Sequence, residues 1–273
     1  MGKFDGILIC TDLDGTLYKN DKTISKENKE AIEYFKSEGG YFTFITGRLP
    51  YYSLDVYKNV NPNAPFGCIN GGGLYDGETN SYIWTKELPK QALELVSHIE
   101  ENLPNVGIQI CGFDNTYFAK ENDITVIFRK ITGLKELSCD YKSFELPIGK
   151  IMFCTGIEEE ILLIDKLLKQ HKLAEKFDFV RSEKTLYEIL PKGVNKGLAL
   201  KKLAEHLNID ISKTIAVGDY DNDVGMLKLA GVGVAVANAS KLALESTDVV
   251  TVSNEESAIA KIIYDLETGK IKI

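Results

Sequence analysis

At 273 residues the chain is long enough for one large domain or two modest ones, and its balance of 44% apolar to 26% charged residues is that of a soluble globular protein. No apolar stretch approaches a membrane span, and a formal charge of −8 argues against nucleic acid or an anionic membrane as partner. The five cysteines (Cys10, Cys68, Cys111, Cys139 and Cys154) are widely spaced and form no CxxC pair, which argues against a disulfide framework or a zinc site and makes a reducing, cytoplasmic setting the expectation.

The first apolar run, Ile7-Leu8-Ile9-Cys10, is predicted to be a buried parallel strand. It stops at Asp12 and Asp14, whose spacing in extended chain sends both carboxylates the same way, and Gly15 permits a turn after them. Acids this close repel one another unless a cation or a shared proton lies between them; an ordinary Asp-rich turn is the plain alternative. Thr23-Ile24-Ser25 offers capping residues for a helix with Ile32, Tyr34 and Phe35 on its apolar face, ending at Gly39-Gly40. Tyr41 to Ile45 reads as a second strand stopping at Thr46-Gly47-Arg48. A helix is predicted from Pro50 through Lys58, and a third strand over Pro65 to Ile69 stops at Asn70-Gly71. Alternating strands and helices imply parallel pairing, with all three strands ending at one edge.

The pattern then changes. Residues 74–84 read as a hairpin turning at Asp76-Gly77 or beyond. A helix is predicted from Pro89 to about Leu103, with strands near 107–111, 116–119 and 150–154. A second helix runs from Glu158 to about Lys172 with Ile161, Leu162, Ile164, Leu167 and Leu168, and strands follow near 177–180 and 186–189. This is an α+β block with a largely antiparallel sheet. The α/β rhythm returns at Asn195-Lys196-Gly197, which precede a helix carrying Leu200, Leu203, Ala204 and Leu207. Thr214 to Val217 is a strand ending at Gly218-Asp219-Tyr220-Asp221-Asn222-Asp223. A short helix over 224–230, strands at 233–236 and 248–251, and a helix from about Glu255 to Leu266 complete the chain. His98, His171 and His206 fall in predicted helices away from these strand ends, as packing or surface residues.

Four strand-end segments thus carry the polar residues. In order and spacing they resemble the haloacid dehalogenase-like superfamily of phosphatases, in its Cof-type subgroup with an α+β cap. The family's DxDGT corresponds to Asp12-Leu13-Asp14-Gly15-Thr16, its Thr/Ser-Gly-Arg to Thr46-Gly47-Arg48, its lysine to Lys196, and its GDxxND to Gly218 through Asp223; Asn70-Gly71 also fits. The resemblance implies an α/β, Rossmann-like three-layer core with a parallel sheet, over residues 1–84 and 190–273. An inserted α+β cap with a largely antiparallel sheet is implied over 85–189, with hinges near 84–89 and 190–193.

It further implies a magnesium-dependent (Mg2+) phosphatase acting on a small phosphorylated metabolite, with no nucleic-acid, membrane or obligate protein partner. Asp12 is then the nucleophile and Asp14 the general acid and base. The metal is held by Asp12, Asp219 and the backbone carbonyl of Asp14, with Asp223 binding it through water or orienting those ligands. Thr46 and the Gly47 N–H would receive phosphoryl oxygens, Lys196 would supply charge, and Asn222, Asn70 and Arg48 would stand on the substrate side. Asp114, Asn115, Arg129 and Lys150 are polar candidates for selecting the substrate from the cap. A phosphotransferase or phosphomutase of the same chemistry, and a sensor without turnover, are the alternatives.

Overall fold

The computed structural model describes residues 2–247 and 249–273. The chain divides into two compact units, one of residues 1–47, 54–84 and 195–273 and the other of residues 48–53 and 85–194. In the first unit β1 (Leu8–Thr11) is followed by α1 (Lys26–Ser37) and β2 (Tyr41–Phe44). Ser25 caps α1 by accepting the Asn28 N–H at 3.1 Å, and of the predicted apolar face Ile32 and Phe35 are buried while Tyr34 is only half-buried.

The segment after Pro50 does not form one helix. A single 3₁₀ turn over Pro50–Tyr52 closes at Ser53, whose hydroxyl donates to the Leu49 carbonyl at 2.8 Å, and α2 (Leu54–Val60) begins afresh. The third strand also differs from expectation. β3 (Phe66–Cys68) meets β2 through one parallel bridge, Ile45 to Gly67, and otherwise pairs antiparallel with β4 (Gly73–Asp76), which continues into β5 (Ser81–Thr85). Three residues preceded by a proline, which lacks an N–H, are too few for a full ladder.

The second unit carries α3 (Ala92–Asn102), β6 (Gly107–Gly112), β7 (Thr116–Lys120), α4 (Asp123–Thr132), β8 (Ile148–Cys154), α5 (Glu158–Gln170), β9 (Phe177–Glu183) and β10 (Leu186–Pro191). Its sheet runs β7-β6-β8-β10-β9, every ladder antiparallel. Alternate residues Ile108, Ile110, Ile151, Phe153, Tyr187 and Ile189 pack against Val96 and Ile99 of α3 and Ile161, Ile164 and Leu168 of α5. Leu162 lies off that face and is exposed. Helix α4 was not anticipated. Its β-branched residues favour a strand, but Asn122 and Thr125 form a reciprocal cap and Gly133 ends it with a left-handed φ of 67°.

The first unit resumes with α6 (Lys196–Leu207), β11 (Thr214–Gly218), α7 (Val224–Leu229), β12 (Val232–Ala235), α8 (Lys241–Leu244), β13 (Val249–Val250) and α9 (Ala258–Glu267). Asp248, the first residue of the predicted strand there, lies outside the described residues. The sheet order is β13-β12-β11-β1-β2, all parallel. Leu8 and Cys10 pack with Leu200 and Leu203 of α6, so Ile9 and Thr11 face the opposite side, where α1 lies along β2 and against α9. Strand order reverses between β1 and β11. In an open parallel sheet the carboxyl ends at such a switch point frame a crevice. Among the described residues no helix is long and apolar enough to cross a membrane.

Candidate active site

Asp12 and Asp219 follow the two strands that flank this switch point. The register pairs Thr11 with Val217, and the Asp12 N–H donates to the Val217 carbonyl at 2.8 Å. Gly15 then turns the chain with a φ of +83°. A Cβ there would come within 2.5 Å of Asp219 Oδ2, so the close approach of this turn to Asp219 requires glycine twice over. The Thr16 hydroxyl donates to Asp219 Oδ1 at 2.8 Å.

Lys196 enters from the first turn of α6. Asn195 caps that helix through the Leu198 N–H, and Gly197 lets it approach the Gly225 carbonyl so closely that a Cβ would be 2.4 Å away. The Lys196 side chain is 1% exposed. Its ammonium donates to Asp12 Oδ1 and to Asp223 Oδ1, the latter at 2.6 Å. Asp223 is held by its other oxygen as well: Oδ2 accepts the N–H groups of Asp219 and Tyr220 at 2.9 and 3.0 Å. Asp12, Asp219 and Asp223 each offer an oxygen within 4.8 Å of the others.

Two buried carboxylates, Asp12 and Asp223, and the half-buried Asp219 against one ammonium leave excess negative charge. Burial, which outweighs Lys196, holds the Asp12 carboxyl well above its usual range, with Asp223 and Asp219 adding to the rise. Burial and then repulsion from Asp223 push Asp219 up to about 7. Lys196 moves the other way from its burial: desolvation opposes its charge, but Asp12 and Asp223 together keep it raised and protonated. A divalent cation with oxygen ligands fits this donor set. The three oxygens lie within 4.8 Å of one another, close enough to share one ion, and the ion would remove the charge excess.

The remaining predicted residues divide. Asn70, with a left-handed φ of 51°, accepts a hydrogen bond from Asn222 Nδ2 at 3.0 Å, and its N–H donates to the Thr46 carbonyl at 3.1 Å. A Cβ on Gly47 would meet Asn70 Oδ1 at 3.0 Å, so Thr46, Gly47, Asn70 and Asn222 form one neighbourhood. The Ile45 N–H donates to the Thr11 carbonyl at 2.9 Å, which sets Thr46 beside Asp12 along the sheet edge. Arg48 belongs to the second unit. There, Asp114 accepts from the Tyr117 hydroxyl and the Asn115 amide. Arg129 is engaged by Glu121 and Glu136, and Lys150 is buried against Glu188 at 2.8 Å.

Three contacts to the acidic loops were not read from sequence. Asn238 Nδ2 donates to the Gly15 carbonyl at 2.8 Å, the Ser240 N–H donates to the Asp219 carbonyl at 2.7 Å, and Lys22 Nζ lies 2.8 Å from Asp14 Oδ1. The position of Asn238, just past the end of β12 at the same sheet edge, was the available signal. Lys22 carried none.

A sequence model described as haloacid dehalogenase-like hydrolase matches residues 9–263. Over 264 residues the chain is 29% identical to 5-amino-6-(5-phospho-D-ribitylamino)uracil phosphatase YitU of Bacillus subtilis, covering 94% of this chain and 96% of the relative. It is 30% identical over 237 residues to the HMP-PP phosphatase of Yersinia pseudotuberculosis, covering 85% and 84%. Among solved structures, a haloacid dehalogenase-like hydrolase from B. subtilis superposes with a TM-score of 0.84 at 24% identity, covering 95% of this chain and 99% of the other. A sugar phosphatase of HAD subclass IIB superposes with a TM-score of 0.82 at 21% identity, covering 97% and 100%, which at that identity speaks for the fold alone.

Proposed function

The chain belongs to the haloacid dehalogenase-like hydrolases, and from that premise we propose that it is a magnesium-dependent, Cof-type phosphatase of small phosphomonoesters, sugar phosphates or related metabolites, working through an aspartyl-phosphate. The observation that carries the reading is the cluster of Asp12, Lys196, Asp219 and Asp223 at the sheet's switch point. Asp12, Asp219 and the Asp14 carbonyl would hold the metal, with Asp223 fixing Lys196 and the backbone around Asp219. Bound magnesium offsets the charge of a phosphoryl group and lets a dianionic ester approach these carboxylates.

Lys196 engages one oxygen of Asp12, which leaves Oδ2 to attack phosphorus. As that bond forms, the ester P–O bond breaks and Asp14 gives its proton to the leaving oxygen. Asp14 then takes a proton from water, the water oxygen attacks phosphorus, and the bond from Asp12 to phosphorus breaks to release phosphate. The Thr46 hydroxyl and the Gly47 N–H receive phosphoryl oxygens, and Lys196 offsets their charge. The inserted second unit contributes none of the clustered acids, which suits it to vary with the substrate. The test is phosphate release from a panel of phosphorylated metabolites with magnesium and with EDTA. The expected outcome is release from at least one sugar-like monoester with magnesium only. Folded protein that releases phosphate equally well in EDTA would overturn the metal assignment, and no release from any ester would overturn the enzymatic one.

A further inference from the structure

Residues 19–23 form a tight loop after the first acid pair. The Lys22 N–H donates to the Lys19 carbonyl and the Lys19 N–H to the Thr23 carbonyl, both at 2.9 Å. Asp21 Oδ1 accepts the Thr23 N–H at 2.9 Å and its hydroxyl at 2.6 Å, and Asn254 Nδ2 anchors the Tyr18 carbonyl at 2.9 Å. Within this frame Lys22 has a φ of +64°. Glycine or asparagine occupies that left-handed region at lower cost than lysine. The Lys22 side chain forms an ion pair with Asp14, 2.8 Å from Nζ to Oδ1. The lysine side chain is 66% exposed, so the pair adds little to the stability of the fold. A strained backbone and a weakly stabilising ion pair are better explained by what the ammonium does to Asp14 than by the fold.

We propose that Lys22 is a positioning residue for Asp14: its ammonium holds one carboxyl oxygen and thereby fixes the orientation from which Asp14 passes its proton to the leaving oxygen. This rests on the reading of Asp14 as proton donor. The consequence depends on the leaving group. p-Nitrophenyl phosphate releases a stable anion and needs little help from an acid. Phenyl phosphate, of similar shape, releases a more basic oxygen and needs the proton as the P–O bond breaks. A badly oriented acid therefore slows the second ester selectively.

The test measures kcat/KM for both esters, which reports only the steps through departure of the leaving oxygen, with magnesium, in the wild type, Lys22→Asn, Lys22→Arg and Asp14→Asn. Lys22→Asn suits the left-handed backbone but is too short to reach Asp14. Its expected effect is a fall of about 10-fold in kcat/KM on phenyl phosphate and of less than about 2-fold in kcat/KM on p-nitrophenyl phosphate. Its thermal midpoint is expected to be unchanged or raised. Lys22→Arg retains the wild-type ratio, and Asp14→Asn shows the same asymmetry more strongly. Lys22→Gly, which also accepts the backbone, repeats the measurement if asparagine disturbs the loop. Equal losses on both esters, or none, beside an asymmetric Asp14→Asn would overturn the role of Lys22 and leave Asp14 as the proton donor. A symmetric Asp14→Asn would overturn the donor reading and the role of Lys22 with it.

Discussion

Replacing Lys196 with methionine removes the cation that sits among the clustered acids. Methionine keeps much of the volume of the lysine stem, so the cavity left behind is small and the change is chiefly one of charge. The lysine side chain is 1% exposed and the side chains of its partners Asp12 and Asp223 are 10% and 0% exposed. Solvent can therefore do little to replace it. Removing one partner of a buried pair costs about 3–5 kcal/mol, a large share of the ~5–15 kcal/mol that holds a typical domain together. The assay is urea unfolding in mildly alkaline buffer with EDTA, followed by the fluorescence of Trp84, the single tryptophan, which packs in the same unit. Lys196→Met should lower stability by at least about 3 kcal/mol. Adding Asp223→Asn should recover part of it, with a coupling of about 1 kcal/mol or more in the double-mutant cycle. A Lys196→Met protein within about 0.5 kcal/mol of the wild type in EDTA would show that the ammonium does not hold these acids together.

A second buried pair makes a contrasting case. Lys150 and Glu188, at 2.8 Å, are 2% and 1% exposed, and the Ser182 hydroxyl also donates to Glu188. Lys150→Met or Glu188→Leu alone should cost about 3–5 kcal/mol, while the two together should come close to the wild type; simply additive losses in urea unfolding would contradict this. His171 supplies a pH dependence. Burial, then the ring of His98 at 5.1 Å, hold its imidazole below the ordinary value of 6.5, and its Nδ1 accepts the Leu173 N–H, which requires the neutral ring. The unfolded chain therefore binds more protons, so this contribution to stability is present above about pH 6.5 and fades as the pH falls through the folded-state value. His171→Asn should flatten the loss of urea stability on going from about pH 7.5 to about pH 5.5, and an unaltered slope would show that His171 does not contribute it.

Much of the fold was legible because local chemistry and global packing agree. The run ending at Cys10 is apolar throughout and becomes a central parallel strand, and Ser25 caps the helix its position suggests. The pairing of β3 was not legible, since a short apolar run reads the same whether its neighbour is parallel or antiparallel. Helix α4 was hidden by β-branched residues whose strand preference is overridden by the cap at Asn122. The same division holds at the candidate site. Asp12, Lys196, Asp219 and Asp223 stand at strand ends and helix starts, where a motif can be read, and they converge in space. The contacts of Lys22 with Asp14 and Asn238 with Gly15 depend on loop conformation and on long-range closure. No periodicity records either.

The central claim is that Asp12 carries the phosphoryl group between the two half-reactions. The most direct measurement is acid quenching of Asp14→Asn during turnover of p-nitrophenyl phosphate with magnesium, followed by mass spectrometry of the peptides. Asp14→Asn should slow the attack of water more than the first transfer, so phosphate should accumulate on the peptide that contains Asp12. No adduct should form when Asp12→Asn is added, and Asp12→Asn alone should not turn over. Phosphate on a different residue, or wild-type turnover by Asp12→Asn, would contradict the account.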